Sequence, residues 1–183
     1  MPDVFISRQP LVNRQSKIIA NRLTLHFDGG ATTSDAARTL NGLADVWPQG
    51  EKLVFIDCAN TACDAALMQW QPPANATIEV HSASLTEPGA PAFIAALQGA
   101  QSSLCLVFDT QAKTALTSNI SFRFIAFDAQ RFSPSQLKSL AAQTQPYGIG
   151  VAINVRDGQA FQACLDAGVN AAASWFFKYP TKA

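Results

Sequence analysis

The chain has 183 residues, 48% of them hydrophobic and 14% charged, a ratio that excludes a disordered chain and suffices for one domain with a sizeable core. Thirteen basic residues balance thirteen acidic ones, which removes any general attraction to a nucleic-acid polymer or an anionic membrane. No apolar run is long enough to span a bilayer, and the opening Met1-Pro2-Asp3-Val4-Phe5 lacks the basic segment and apolar stretch of a signal peptide, so a cytoplasmic location is expected. Cys58, Cys63, Cys105 and Cys164 form no CxxC pair, and no histidine spacing suggests zinc. They read as free thiols in a reducing compartment. Low charge with an apolar surplus leaves room for a protein-partner or self-association surface.

In chain order, residues 4–12 and 17–27 read as two β segments joined by the polar Asn13-Arg14-Gln15-Ser16, a β-hairpin. Ser34-Asp35 offers a helix N-cap, followed by Ala36, Ala37, Leu40, Leu43, Ala44 and Trp47 at helical spacing up to Pro48 and Gly50. Residues 52–58 are an apolar run of strand length, 60–70 a helix stopped by Pro72-Pro73, 77–80 a short strand and 90–100 an Ala-rich helix. Residues 104–109 form another buried strand, and 120–128 alternate through Ile120, Phe122, Phe124 and Ala126. Ser133-Pro134 opens a helix with a cap and a proline in its first turn. A strand over 148–155, a helix over 157–167 ending at Gly168 and a strand over 171–177 complete the chain.

Strands alternating with helices predict an α/β domain with a mainly parallel sheet, and about eight strands predict a (β/α) barrel. A complete barrel of this kind takes about 250 residues. The expectation is therefore one domain over 1–183, a shortened barrel with missing or shrunken helices or incomplete closure. In parallel α/β folds the functional groups collect at the carboxyl ends of strands, which here carry Asp57, Glu79, Asp109 and Asp128. Such acids either hold a divalent metal or cap helices and loops. No GxSxG, P-loop, GxGxxG or HExxH pattern occurs. His26 and His81 are distant in sequence, Gly29-Gly30 reads as the end of the second strand, and Trp175-Phe176-Phe177 with Phe122, Phe124 and Phe127 read as core.

Two segments carry a family likeness. Arg8-Gln9-Pro10-Leu11-Val12-Asn13-Arg14 resembles the opening of EAL domains, the cyclic di-GMP phosphodiesterases, and most of all the divergent branch that often precedes an HDOD domain. Gly168-Val169-Asn170 through Ser174-Trp175-Phe176-Phe177-Lys178-Tyr179-Pro180 is similar to that branch's closing G-x-D…QGYFF-x-x-P. Strand order and spacing between them also match, so the resemblance covers nearly the whole chain and implies an EAL-type barrel, with an HDOD-type domain as a candidate neighbour beyond it.

The resemblance also implies an active site whose positions are altered here. The signature Glu-Ala-Leu falls on Arg22-Leu23-Thr24, the phosphate-contacting arginine on His26 and the metal-binding asparagine on Asp57. The next glutamate is retained as Glu79, and the paired aspartates fall near Phe108-Asp109. The lysine position is Ala126, with the aspartate two places later kept as Asp128. The late glutamates fall on Ile153 and Arg156, and the glutamine before the last strand on Ala173. Gln9 and Leu23 match positions near the nucleotide.

Two-metal hydrolysis needs several oxygen ligands at fixed distances. Arg22 brings a permanent positive charge to that cluster, and Ile153 offers no ligand. The sequence thus predicts no catalytic residue, no bound metal and no cofactor. It predicts an inactive EAL-like signalling domain acting as an adaptor or protein-interaction module. The alternatives are a cyclic di-GMP receptor that binds through Gln9, Leu23 and His26 without cleaving, and an enzyme rebuilt on Asp57, Glu79 and Asp109. Arg22 is expected to pair with Glu79 or Asp57, replacing metal by an internal ion pair.

Overall fold

A computed structural model describes residues 3–58, 65–100, 102–109, 112–117 and 119–174. The chain opens with an antiparallel ribbon of β1 (Val4–Asn13) and β2 (Ile18–Phe27). Its turn is built by Asn13, whose side-chain oxygen accepts the backbone N–H groups of Gln15 and Lys17, both at 3.0 Å. Ser16 takes the left-handed conformation that lets the chain reverse.

Helix α1 (Thr33–Gly42) begins two residues earlier than a cap at Ser34 suggests. Thr32, not Ser34, is the cap: its hydroxyl accepts the Asp35 N–H while the Asp35 carboxylate accepts the Thr32 N–H at 2.9 Å. The helix also stops short of Trp47, giving way to a 3₁₀ turn over Ala44–Val46. Trp47 instead packs against Trp70, with ring centroids 5.6 Å apart, and its indole N–H donates to Asn75 at 2.9 Å.

The remaining parallel strands follow as β3 (Leu53–Asp57), β4 (Ala76–His81), β5 (Ser103–Phe108), β6 (Phe124–Asp128), β7 (Ile149–Ile153) and β8 (Ala171–Ala173). Between them lie α2 (Ala90–Gly99), α3 (Ala112–Leu116), α4 (Pro134–Thr144) and α5 (Gly158–Asp166). The helix expected over 60–70 is a 3₁₀ turn at Ala65–Gln69 in its described part, and residues 59–64 lie outside the description. The strand expected over 120–128 starts only at Phe124, where pairing with Cys105 begins. Phe122 packs outside the barrel, whereas Phe124 and Ala126 point into it. Residues 175–177 of the expected last strand, with their aromatic group, lie outside the described residues.

The strands close in the order β1-β2-β3-β4-β5-β6-β7-β8. β1 is antiparallel to both neighbours, β2 and β8, and every other pair is parallel. Of the two alternatives, shrunken helices and incomplete closure, the structure shows the first: the brevity of the chain falls on the helical layer, where 3₁₀ turns and the five-residue α3 stand in for full helices. Closure leaves no free sheet edge, so the backbone pairing is completed inside the barrel wall.

Because side chains alternate across each strand, one set fills the barrel and the other meets the helices. Leu11, Ala20, Phe55, Cys105, Phe124, Val151 and Ala171 form the interior. Phe55 and Phe124 meet edge to face with centroids 5.0 Å apart and make an apolar floor. Outside, Leu25, Val54, Ile56, Ile78 and Leu106 pack beneath α1 and α2, and Ile125, Phe127 and Ala152 pack with Leu137 of α4 and Cys164 of α5. Above the floor the interior turns polar: Gln9, Arg22, Thr24, Asp57 and Glu79 are all buried.

Candidate functional site

Arg22, Asp57 and Glu79 arrive from three adjacent strands. The parallel register sets Arg22 beside Phe55, Thr24 beside Asp57 and Glu79 beside Cys105, so all three charged groups point inward just above the aromatic floor. Arg22 Nε donates to Glu79 Oε1 at 2.7 Å and Nη2 donates to Glu79 Oε2 at 2.8 Å, a two-pronged pair. The same Nη2 donates to Asp57 Oδ2 at 2.6 Å. Arg22 therefore pairs with both expected acids. The side chains of Arg22, Asp57 and Glu79 are 7%, 5% and 0% exposed, which places the pair among buried ion pairs.

His81 completes the cluster. It follows Glu79 by two residues on β4 and shares its inward face, and its Nε2 lies 3.1 Å from Asp57 Oδ1. Nothing in the family likeness pointed to His81, but the two-residue spacing from Glu79 marks it once β4 is known to be a strand. The hydrogen bond to Asp57 raises the His81 pKa above the ordinary imidazole value, with burial opposing. Burial pushes Asp57 up, but the His81 hydrogen bond and the Arg22 charge outweigh it and hold that carboxyl below its usual value. For Glu79, complete burial pushes upward more strongly than Arg22 pulls down. For Arg22 itself, burial works against the charge and is overcome by Glu79 and Asp57, so the guanidinium is held charged. Cys105, fully buried beneath Glu79, is pushed up by burial and then by the Glu79 charge, and is an inert thiol.

These groups open into a cavity of about 380 Å³ at the carboxyl ends of the strands. Ser7, Gln9, Thr24, His26, Val107, Phe108, Asp128, Arg131, Ile153 and Asn154 join Arg22, Asp57 and His81 around it. His26 and His81, remote in sequence, thus border one cavity, and His26 Nε2 lies 3.0 Å from the Ser7 hydroxyl. Asp128 is engaged by its own loop: it accepts from the Gln130 N–H at 2.9 Å and from Asn154 Nδ2 at 3.0 Å. Ile153 closes the cavity with a buried apolar side chain. Ala126 and Ala173 are also buried inside the barrel, with no functional group to offer.

Two expected residues are elsewhere. Leu23, assigned a ligand contact by the family likeness, faces outward into the core beneath the helices, because it lies one residue from the inward Arg22 and Thr24. Asp109 follows the end of β5, accepts a hydrogen bond from the Ser82 hydroxyl and does not join Asp57 and Glu79.

Asp57, Glu79 and His81 have ligand atoms within 4.8 Å of one another, a donor set that could in principle hold a divalent ion. As placed, they do not fit one. Arg22 Nη2 sits between the two carboxylates, both Glu79 oxygens accept from the guanidinium, and the remaining Asp57 oxygen faces His81. A cation at this point would have to displace a covalently attached one.

No family model matches the chain, and no curated protein matches it. Solved structures do. The EAL domain of FimX from Pseudomonas aeruginosa, bound to c-di-GMP, superposes with a TM-score of 0.68 at 13% identity, covering 98% of this chain and 91% of that one. The EAL domain of Mycobacterium smegmatis DcpA gives 0.68 at 10% identity, with 97% and 93% covered. The PaMucR phosphodiesterase in complex with c-di-GMP gives 0.64 at 11% identity, with 98% and 92% covered. The chain therefore has the fold of EAL domains: a closed eight-stranded barrel with one antiparallel strand, complete over nearly its whole length.

Proposed function

We propose that this chain is a degenerate EAL-type domain, of the branch that precedes HDOD domains, that does not hydrolyse cyclic di-GMP and acts in the cytoplasm as a signalling adaptor. The observation that carries this reading is the Arg22 guanidinium between Glu79 and Asp57, at the strand ends where a metal-dependent hydrolase needs free carboxylate oxygens. Ala126 and Ile153, which contribute neither a cation nor an oxygen, support it. Association with protein is supported by the ribbon β1–β2, where Phe5 is 69% exposed and Ile6, Ile18 and Ile19 are each at least 40% exposed. Among the described residues no helix is long and apolar enough to cross a membrane.

The test is direct. Incubated with cyclic di-GMP and magnesium or manganese, the protein is expected to yield no linear dinucleotide above the enzyme-free control. Turnover that disappears in Glu79→Ala overturns the proposal. Gel filtration across a concentration series, with a pull-down, is expected to reveal a dimer or a protein partner. A strict monomer without partner removes the adaptor half of the reading.

The second reading is a receptor that binds cyclic di-GMP without cleaving it. It is favoured by the mouth cavity, by Gln9 on its wall and by fold neighbours that carry c-di-GMP. Calorimetric titration with cyclic di-GMP separates the two.

A further inference from the structure

The end of the barrel opposite the polar mouth carries exposed apolar side chains. Strands β2 to β8 run parallel, so their first residues share this amino end. Ile18 and Ile19 open β2, and Ile149 opens β7 with Tyr147 just before it. Val46 is held beside the start of β3, where Asn75 bonds Trp47, Pro48 and Lys52. All five are more than 40% exposed. The other large apolar residues exposed among those described, Val4, Phe5 and Ile6, lie at the mouth end, where Val4 pairs with Phe27. Five such side chains on one end exceed the scattered single ones of a face turned only to water.

Four of them border one continuous depression. Tyr147 and Ile149 line a groove of about 800 Å³ between α4 and α5, against about 380 Å³ for the mouth cavity. Its walls are low, with Ala141 and Ala142 on α4 and Ala167 after α5. The hairpin turn joins it on the far side: Arg14 Nη2 donates to the Leu165 carbonyl at 2.6 Å, beside Asp166 on the groove wall. Ile18 and Ile19 follow directly from that turn.

The charges say what covers this end. Lys138 stands on the α4 wall and Asp166 on the α5 wall. Among the described residues neither is in an ion pair; one Asp166 oxygen accepts from Gln162 at 2.8 Å and the other has no partner. Opposite charges on opposite walls are self-complementary: after a half-turn about an axis through the groove, each Lys138 faces an Asp166. The rest of the end mixes both signs, Arg14, Lys17 and Lys52 beside Asp45 and Glu51, so it neither repels its own copy nor selects a strongly charged partner.

We propose that the amino end of the barrel is the face by which two copies of this chain pair about a two-fold axis, with Lys138 of each copy against Asp166 of the other and Tyr147 and Ile149 at the centre. This names a partner and a surface for the association in the adaptor reading, and rests on that half of it.

Sedimentation velocity of the full chain over a concentration series is expected to show a monomer–dimer equilibrium. Lys138→Glu and Asp166→Lys are each expected to weaken the dimer at least about tenfold, because each sets like charges together at both contacts. Mixed in equal amounts, the two variants are expected to associate again as a one-to-one heterodimer, since each then meets the opposite charge twice. Tyr147→Asp is expected to weaken the dimer at least about tenfold, and Phe5→Asp, at the mouth end, to leave it unchanged. An unchanged melting temperature at low concentration shows that each variant is folded. A dimer indifferent to Tyr147→Asp, or a mixture no more associated than either variant alone, overturns the inference and leaves the adaptor reading standing. A chain still monomeric at about 1 mM also overturns it, and the adaptor reading falls with it only where the pull-down yields no partner. Turnover of cyclic di-GMP overturns the proposed inactivity and leaves the dimer untouched.

Discussion

Replacing Arg22 by methionine keeps the length of the side chain and removes its charge. Its partners are the side chains of Glu79, wholly buried, and Asp57, 5% exposed, so neither can turn to water for compensation. Removing one partner of a buried, hydrogen-bonded pair costs about 3–5 kcal/mol, against about 0–1 kcal/mol for an exposed one. In a domain of 183 residues each kcal/mol moves the melting temperature by about 2–4 °C, so Arg22→Met is expected to lower it by about 6–20 °C. Urea unfolding at pH 7, followed by circular dichroism, measures the loss directly. The loss also carries a pH signature. Without the guanidinium, burial and mutual repulsion raise the pKa of both acids in the folded state, so the penalty is fully present above those raised values. It closes as pH falls through them toward the ordinary carboxylate values of 3.8 and 4.5. The gap between wild type and Arg22→Met should therefore narrow on acidification from pH 7. A loss under about 1 kcal/mol, or a gap that does not change with pH, would falsify the account of Arg22 as the internal counter-ion.

Three further outcomes follow from the same geometry. His81 is held above the ordinary imidazole value of 6.5 by Asp57, so its contribution is fully present below that pH and is lost as pH rises through the folded value. With its side chain 40% exposed the effect is under about 1 kcal/mol, and His81→Gln should flatten this limb of the stability profile; an unchanged slope would assign it to another group. Magnesium or manganese at about 1 mM is expected to leave the melting temperature unchanged, because a ligand of the native state raises it and, among the described residues, the one donor set, Asp57, Glu79 and His81, is engaged by Arg22; a stabilising shift contradicts this. Thr32→Ala should cost about 0.5–2 kcal/mol while Ser34→Ala costs close to nothing, and the reverse order would return the α1 cap to the position suggested by the sequence.

The barrel was legible because its strands are written in two plain ways. Val54-Phe55-Ile56 and Leu104-Cys105-Leu106 are runs buried on both faces, and Asn13 marks the hairpin with a side chain that closes its own turn. The misread stretches are those where apolar spacing is helical but the backbone is not. Leu40, Leu43 and Trp47 repeat at helical intervals, yet α1 ends at Gly42 and Trp47 is fixed by Trp70 and Asn75, partners more than 20 residues away. Within the site, Asp57 and Glu79 are marked by their place at the carboxyl ends of strands and Arg22 by the family likeness, and their convergence follows from register. Leu23 was misplaced because family position was allowed to override the two-residue period that turns it away from Arg22. The same period points to Thr24 and His81, which sequence reasoning passed over. Asn154, in a left-handed backbone conformation after β7, carries no local pattern that would single it out.

The counter-ion in this barrel is attached to its own wall. An exchangeable cation fills a site to a degree set by its concentration, and stabilises the native state accordingly. Arg22 is present at every ionic composition, cannot be removed by a chelator and cannot be exchanged for a competing ion. The upper barrel thereby becomes indifferent to the metal supply around it. The ion pair that joins β2, β3 and β4 is therefore the same whether magnesium or manganese is scarce or abundant.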